Sequence, residues 1–346
     1  MPTTVTHSIG TASRDYSTLQ AWHDAGPADL TTADQLWRGE CYNDSEFTST
    51  STFLTVSKTT DATRYFLLTT AAGQGFRSAG GIATAPLRYD QSKGVGVRFN
   101  GGYATMFSGS GVTGLVIDGL QIYYDSGSAS NYAPAVYNMM GVQNCIIETR
   151  MTSGFFLHFV RQIINSVVVV RGTSFSGDAV RTSSGTDRII NSTIVRPSDL
   201  TAGGKGIDTQ DGFPQVTNCA VFNFTTNFVG TIASYAAGSG NNASSVATTS
   251  IAGGSGGNNQ GSLTFSTQFQ STADSTRDWR AASGGALTTT GVRAQTYTND
   301  LDIIGASRST TTPSIGAREY AVAAPPPPPV LFRRGPTFVN DELILI

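Results

Sequence analysis

Two short phrases hold side chains suited to acid–base work on an oxygen leaving group. Gly177-Asp178-Ala179-Val180-Arg181 sets a carboxylate ahead of a guanidinium, and Gly206-Ile207-Asp208-Thr209-Gln210-Asp211-Gly212 sets two carboxylates on either side of a Thr-Gln pair. Carboxylates converging on one groove, alone or with a basic residue, can protonate a glycosidic oxygen and activate the attacking group. Positions three apart on a regular strand point to opposite faces, so Asp208 and Asp211 cooperate only across a turn. Isolated Asp/Arg pairs on loops serve more often as turn caps or solvated pairs. We therefore expect no catalytic residue, with Asp178, Arg181, Asp208 and Asp211 as the set to test if the chain is an enzyme.

The other reactive types carry weaker signals. His7, His23 and His158 stand in unrelated contexts and form no triad pattern. Asp300 and Asp302 could hold a cation, but turn capping is the expected role, and no metal is expected. Cys41, Cys145 and Cys219 form neither a CxxC nor a Cys/His pairing and are expected as free, buried thiols. Phosphate-loop, zinc and dinucleotide motifs are absent from the sequence, so no cofactor is expected. Net charge is −2, which offers no basic field for nucleic acid or an anionic membrane. No apolar run approaches the length of a membrane span.

The elements that must position these side chains announce themselves by repetition. A β-branched run, an Asn or Asp, a small residue and a second apolar run recur at Asp118, Asn144, Asn165, Asn191 and Asn218, with steps of 26, 21, 26 and 27 residues. Such a period marks stacked coils, each able to bury its face only against its neighbours. Every run has the length and composition of a strand. Asn tolerates the left-handed backbone region, so each phrase reads as strand, one-residue corner, strand. Stacked corners would let these five side chains hydrogen-bond along the stack as a ladder, satisfying amides that burial would otherwise penalise.

With these phrases the chain resembles the right-handed parallel β-helices of the pectin-lyase-like type, and in particular structural proteins of tailed bacteriophages. The resemblance implies an all-β solenoid with an Asn ladder at the sharp turn between two of three sheets. It also implies a helix closing the first coil, matched here by the segment from Ile9 to Trp22, with Asp15 expected as the helix N-cap. The Asn-Thr-Asp pattern of polygalacturonase-like hydrolases and the calcium-binding carboxylates of pectate lyases are both missing.

The expected organisation is an N-terminal strand and capping helix over 1–30, a parallel β-helix over 31–323, a polyproline linker over 324–330 and an apolar C-terminal tail over 331–346. Within the helix, Phe155 to Val160 is expected as stacked core aromatics. The Gly-rich phrases around 238–242 and 253–259 are expected as surface loops. Ile315-Gly316-Ala317-Arg318-Glu319 is similar to the final coil of such proteins. Five prolines, Pro325 to Pro329, form a stiff spacer, and beyond them Leu331, Phe332, Phe338, Val339, Leu343, Ile344, Leu345 and Ile346 are expected to dock on another chain.

Together these features lead us to expect a non-enzymatic virion protein of a tailed phage, a capsid decoration or head-fibre component anchored to other virion proteins through its tail. A lack of any basic-then-apolar leader at Met1-Pro2-Thr3-Thr4 fits packaging from the cytoplasm. A homotrimer and a host surface glycan are further expected partners. The alternative is a receptor-binding tailspike that cleaves polysaccharide.

Overall fold

The computed structural model describes residues 1–77, 85–101, 104–109, 114–125, 136–182, 187–209, 212–230, 234–252, 257–291, 301–311 and 313–320, together with the backbone of 337–339 and 342–344. Three sheets run its length. The first holds Thr3–Ile9, Gln35–Cys41, Phe66–Thr70, Leu115–Asp118, Gly141–Gln143, Gln162–Ile164, Arg188–Ile190 and Gln215–Thr217. The second holds Phe47–Ser49, Gly96–Phe99, Gln121–Tyr124, Ile146–Thr149, Val167–Val170, Thr193–Val195, Ala220–Phe222 and Ala243–Ser244. The third holds Leu54–Val56, Phe107–Gly109, Val136–Met139, Phe155–Val160, Asp178–Arg181, Lys205–Asp208 and Thr226–Val229. Neighbouring strands pair in parallel throughout these sheets, so the chain is an all-β parallel solenoid.

Register explains the β-branched runs. Ile117, Val142, Ile163, Ile189 and Val216 stack as one inward column of the first sheet, and Ile122, Ile147, Val168, Ile194 and Val221 as one of the second. All ten are buried. The corner between the two columns is left-handed at Asn144, Asn165, Asn191 and Asn218, with φ of 56°, 48°, 50° and 55°. Asp118 differs: it pairs with Gln143, one residue ahead of the corner, and Gly119 takes the left-handed position at φ 78°. The Asp118 carboxylate still ends the ladder, accepting from Asn144 Nδ2 at 2.7 Å. Further rungs join Asn165 Nδ2 to Asn144 Oδ1 at 3.3 Å and Asn218 Nδ2 to Asn191 Oδ1 at 2.9 Å.

Two more corners lie where surface loops were expected. Asn241 and Asn258 are left-handed at φ 54° and 52°, and bridges Thr217–Gly240 and Ala243–Gln260 hold them in the stack. These coils are short because Gly supplies tight connections. Residues beyond them do not continue the stack. Instead the described residues between Leu263 and Tyr320 return along the outside of the second sheet, where Phe269, Trp279, Leu287, Ile303 and Ile315 cover Ile146, Val167, Val169, Val195 and Phe222. From Ile146–Thr149 to Ala220–Phe222 the second sheet is thus buried on both faces, which is why Val167-Val168-Val169-Val170 shows no alternation. The Ile315–Glu319 phrase belongs to this returning segment and not to a final coil. Gly316 N donates to Asn218 O at 2.8 Å and Ala317 N to Thr193 Oγ1 at 3.1 Å.

Charge fastens the return. Glu148, fully buried on the second sheet, accepts from Arg277 Nη2 at 2.5 Å and Nε at 3.1 Å and lies 3.6 Å from Arg171, which itself pairs with Asp274 at 2.5 Å. Asp302 caps its own turn, accepting from the amides of Ile304 at 3.0 Å and Ala306 at 2.8 Å, and pairs with Arg318; Asp300 lies outside the described residues. Cys41, Cys145 and Cys219 are buried free thiols.

At the N-terminal end the short helix Leu19–Ala25 packs Leu19 and Trp22 into the core. Its N-cap is Thr18, whose Oγ1 accepts from Ala21 N at 3.1 Å, and not Asp15. Asp15 instead accepts from Ser8 N at 2.8 Å on the first strand. Among the described residues no helix is long and apolar enough to cross a membrane.

Candidate functional site

The Asp178, Arg181 and Asp208 side chains do meet, on the outside of the third sheet. Register sets Asp178 beside Lys205 and Arg181 beside Asp208. Between these columns Ala179, Val180 and Ile207 join the core and Gly206 is buried, so each strand turns two consecutive residues away from the outer face. That bend puts residues three apart on one face, contrary to the expectation from a regular strand. Asp211 lies outside the described residues.

Lys205 binds the cluster together. Its Nζ stands 2.6 Å from Asp208 Oδ2 on the same strand and 3.6 Å from Asp178 Oδ1 on the neighbouring coil. Both carboxylates are buried, whereas Lys205 is 42% exposed. Burial, and next the charge of Asp208, push the Asp178 carboxyl up to about 6; Lys205 opposes the shift. A carboxyl inclined to hold its proton, with a second carboxylate close by, is a feature that glycan cleavage uses. Substrate would have to displace Lys205 to reach either oxygen pair, because the ammonium is what solvent meets.

An aromatic patch adjoins the cluster on the preceding coil. Phe156, Leu157 and Val160 enter the core, as expected of this phrase, but Phe155, His158 and Phe159 stay half-buried on the outer face. The His158 ring lies 3.8 Å from Phe159, 4.6 Å from Phe155 and 5.5 Å from Tyr137. The Arg181 guanidinium sits 4.4 Å above the Phe155 ring, a cation–π contact that ties the patch to the acid cluster. Phe159 holds φ 56°, uncommon for a bulky side chain, and aligns with Asn138 at φ 53° on the coil before.

Sequence reasoning missed Lys205 because a lysine two residues ahead of Ile207 in a Gly-rich phrase looks solvated, and only the double inward bend turns it onto the carboxylates. It also missed the Glu148–Arg277 pair, whose partners are 129 residues apart. The tail residues fall partly outside the description: Leu331, Phe332, Leu345 and Ile346 are not described, nor is the linker 324–330. Phe338 and Val339 lie on the strand Thr337–Val339, which pairs antiparallel with Glu342–Ile344, the strand holding Leu343 and Ile344.

No family model matches this chain, and neither a curated protein nor a solved structure is found to match it.

Proposed function

We propose that this chain is a non-enzymatic structural protein of a tailed-phage virion, a capsid decoration or head-fibre component. In this reading the solenoid is right-handed, the hand that parallel strand–crossover–strand connections adopt almost without exception. The body is a stiff projection, held to a neighbouring chain of the particle by its C-terminal segment.

The hairpin beyond the proline run carries this reading. Thr337–Val339 and Glu342–Ile344 pair with each other and, among the described residues, with no strand of the three long sheets. A lone two-stranded hairpin is marginal in water and needs a further surface to be stable. Co-sedimentation with phage particles tests the reading. Full-length chain should pellet with them, and a chain ending at Ala323 should stay in solution; equal behaviour of the two would refute the tail anchor.

A second reading, a polysaccharide-cleaving tailspike, is favoured by the raised pKa of Asp178 beside Asp208. The burial of both carboxylates beneath Lys205 weighs against it. Cleavage of host surface polysaccharide that vanishes in Asp178→Asn and Asp208→Asn variants would establish it.

A further inference from the structure

Each of the three sheets must end somewhere at the N-terminal face of the solenoid, and an unpaired strand edge recruits other strands unless it is blocked. The first edge is capped only at Ser8, with Thr4 and Thr6 open on it, and the third is met at Thr55. On the first sheet, Asp15 accepts from Ser8 N at 2.8 Å, and Tyr16 N donates to Ser8 O at 3.1 Å. On the third, Gln20 Oε1 accepts from Thr55 N at 3.1 Å.

The second sheet ends at Phe47–Ser49 without such a cap. Asn100 N donates to Ser49 O at 2.9 Å, so Phe47 and Ser49 bond towards the strand Gly96–Phe99. Alternate residues of a parallel strand bond to opposite sides. The N–H and C=O of Thr48 therefore point away from the sheet, and among the described residues no hydrogen bond meets them there. They face a cleft of about 470 Å³ between this strand and the turn before the capping helix, lined by Thr18, Ser45, Phe47, Thr48, Thr52 and Phe53.

We infer that this cleft is a strand-addition site, and that its occupant is the C-terminal segment of a second copy of this chain. Extended polypeptide is the ligand that an open edge in a cleft selects, through main-chain hydrogen bonds, with flanking pockets taking alternate side chains. The chain supplies such a segment. Residues 337–339 and 342–344 already have strand conformation and join none of the three long sheets. Each copy then offers this cleft edge and one strand, a head-to-tail contact that closes into a ring or extends as a filament. The inference rests on the C-terminal segment being a docking element; it does not require the virion.

Sedimentation velocity of the full-length chain over a wide concentration range tests it. Proline is tolerated on an edge strand where its missing N–H faces outward, so Thr48→Pro removes the free donor and leaves the ladder to Gly96–Phe99 in place. We expect concentration-dependent association of the wild type, weakened at least about tenfold by Thr48→Pro, the effect of losing one main-chain bond. Excess synthetic peptide spanning 337–346 should dissociate the wild-type assembly. Wild-type chain that stays monomeric, or a Thr48→Pro chain that associates as the wild type does, would overturn the inference. Should Thr48→Pro lower the melting temperature, the peptide decides alone, and association unmoved by it overturns the inference. Chain that self-associates but ignores phage particles would refute the virion reading and leave this one standing.

Discussion

Replacing Asn191 by Ala and, separately, by Gly divides the corner into its two physical parts. Asn191 is buried, holds φ 50°, and its Oδ1 accepts from Asn218 Nδ2 at 2.9 Å. Both substitutions remove that acceptor and leave a buried amide donor short of a partner, at a cost of about 1–3 kcal/mol. Only Ala must also hold a left-handed backbone, which adds about 1–2 kcal/mol; Gly adopts it freely. Asn191→Ala should therefore cost about 2–5 kcal/mol and Asn191→Gly about 1–3 kcal/mol. Urea unfolding followed by circular dichroism reads both as a lower midpoint at unchanged slope. Equal costs would show that backbone strain is not what selects Asn at the corner. Two neutral substitutions would refute the ladder altogether.

Three other outcomes follow from the charged and thiol groups. Asp178 is raised to about 6, above its ordinary value of 3.8, so the folded state binds the extra proton and stability falls as pH rises from about 4 to about 6. Asp178→Asn should abolish that slope and, above pH 6, stabilise the chain by about 1–3 kcal/mol; an unchanged pH profile in urea titrations would contradict the shift. Arg277→Met strands Glu148 in the core without its main partner and should cost about 3–5 kcal/mol, most of it recovered in the Glu148→Leu/Arg277→Met double variant, measured by the same unfolding midpoints. Burial pushes the Cys145 and Cys219 thiols up to about 12, so a thiol reagent at pH 8 should label them only at the rate of unfolding; rapid labelling of native protein would place them outside the core.

The solenoid was legible because its chemistry is local. A β-branched run, Asn and a small residue specify strand, corner and strand within a few positions, and repetition multiplies the signal. Asp118 was misplaced by one residue because Gly119 can take the left-handed corner as readily as Asn, and only pairing with Gln143 reveals the shift. Asn241 and Asn258 escaped because their coils shrink and their neighbours are glycine, although the repeated Gly-Asn-Asn phrase was a visible signal. The returning segment was not legible: its contacts to the second sheet join residues from tens to more than a hundred positions apart. The unbroken Val167–Val170 run did hint that this strand is covered on both faces. At the acid cluster, residue types were legible but facing was not, since two consecutive inward residues break the alternation on which facing is judged.

Amide hydrogen exchange of residues 337–344, in dilute isolated chain and in chain bound to phage particles, tests the structural-anchor reading most directly. The hairpin should exchange at nearly the rate of an unstructured peptide when the chain is alone and be strongly protected on the particle. Protection already present in dilute isolated chain would mean that the segment is buried on its own body, and the anchor reading would be wrong.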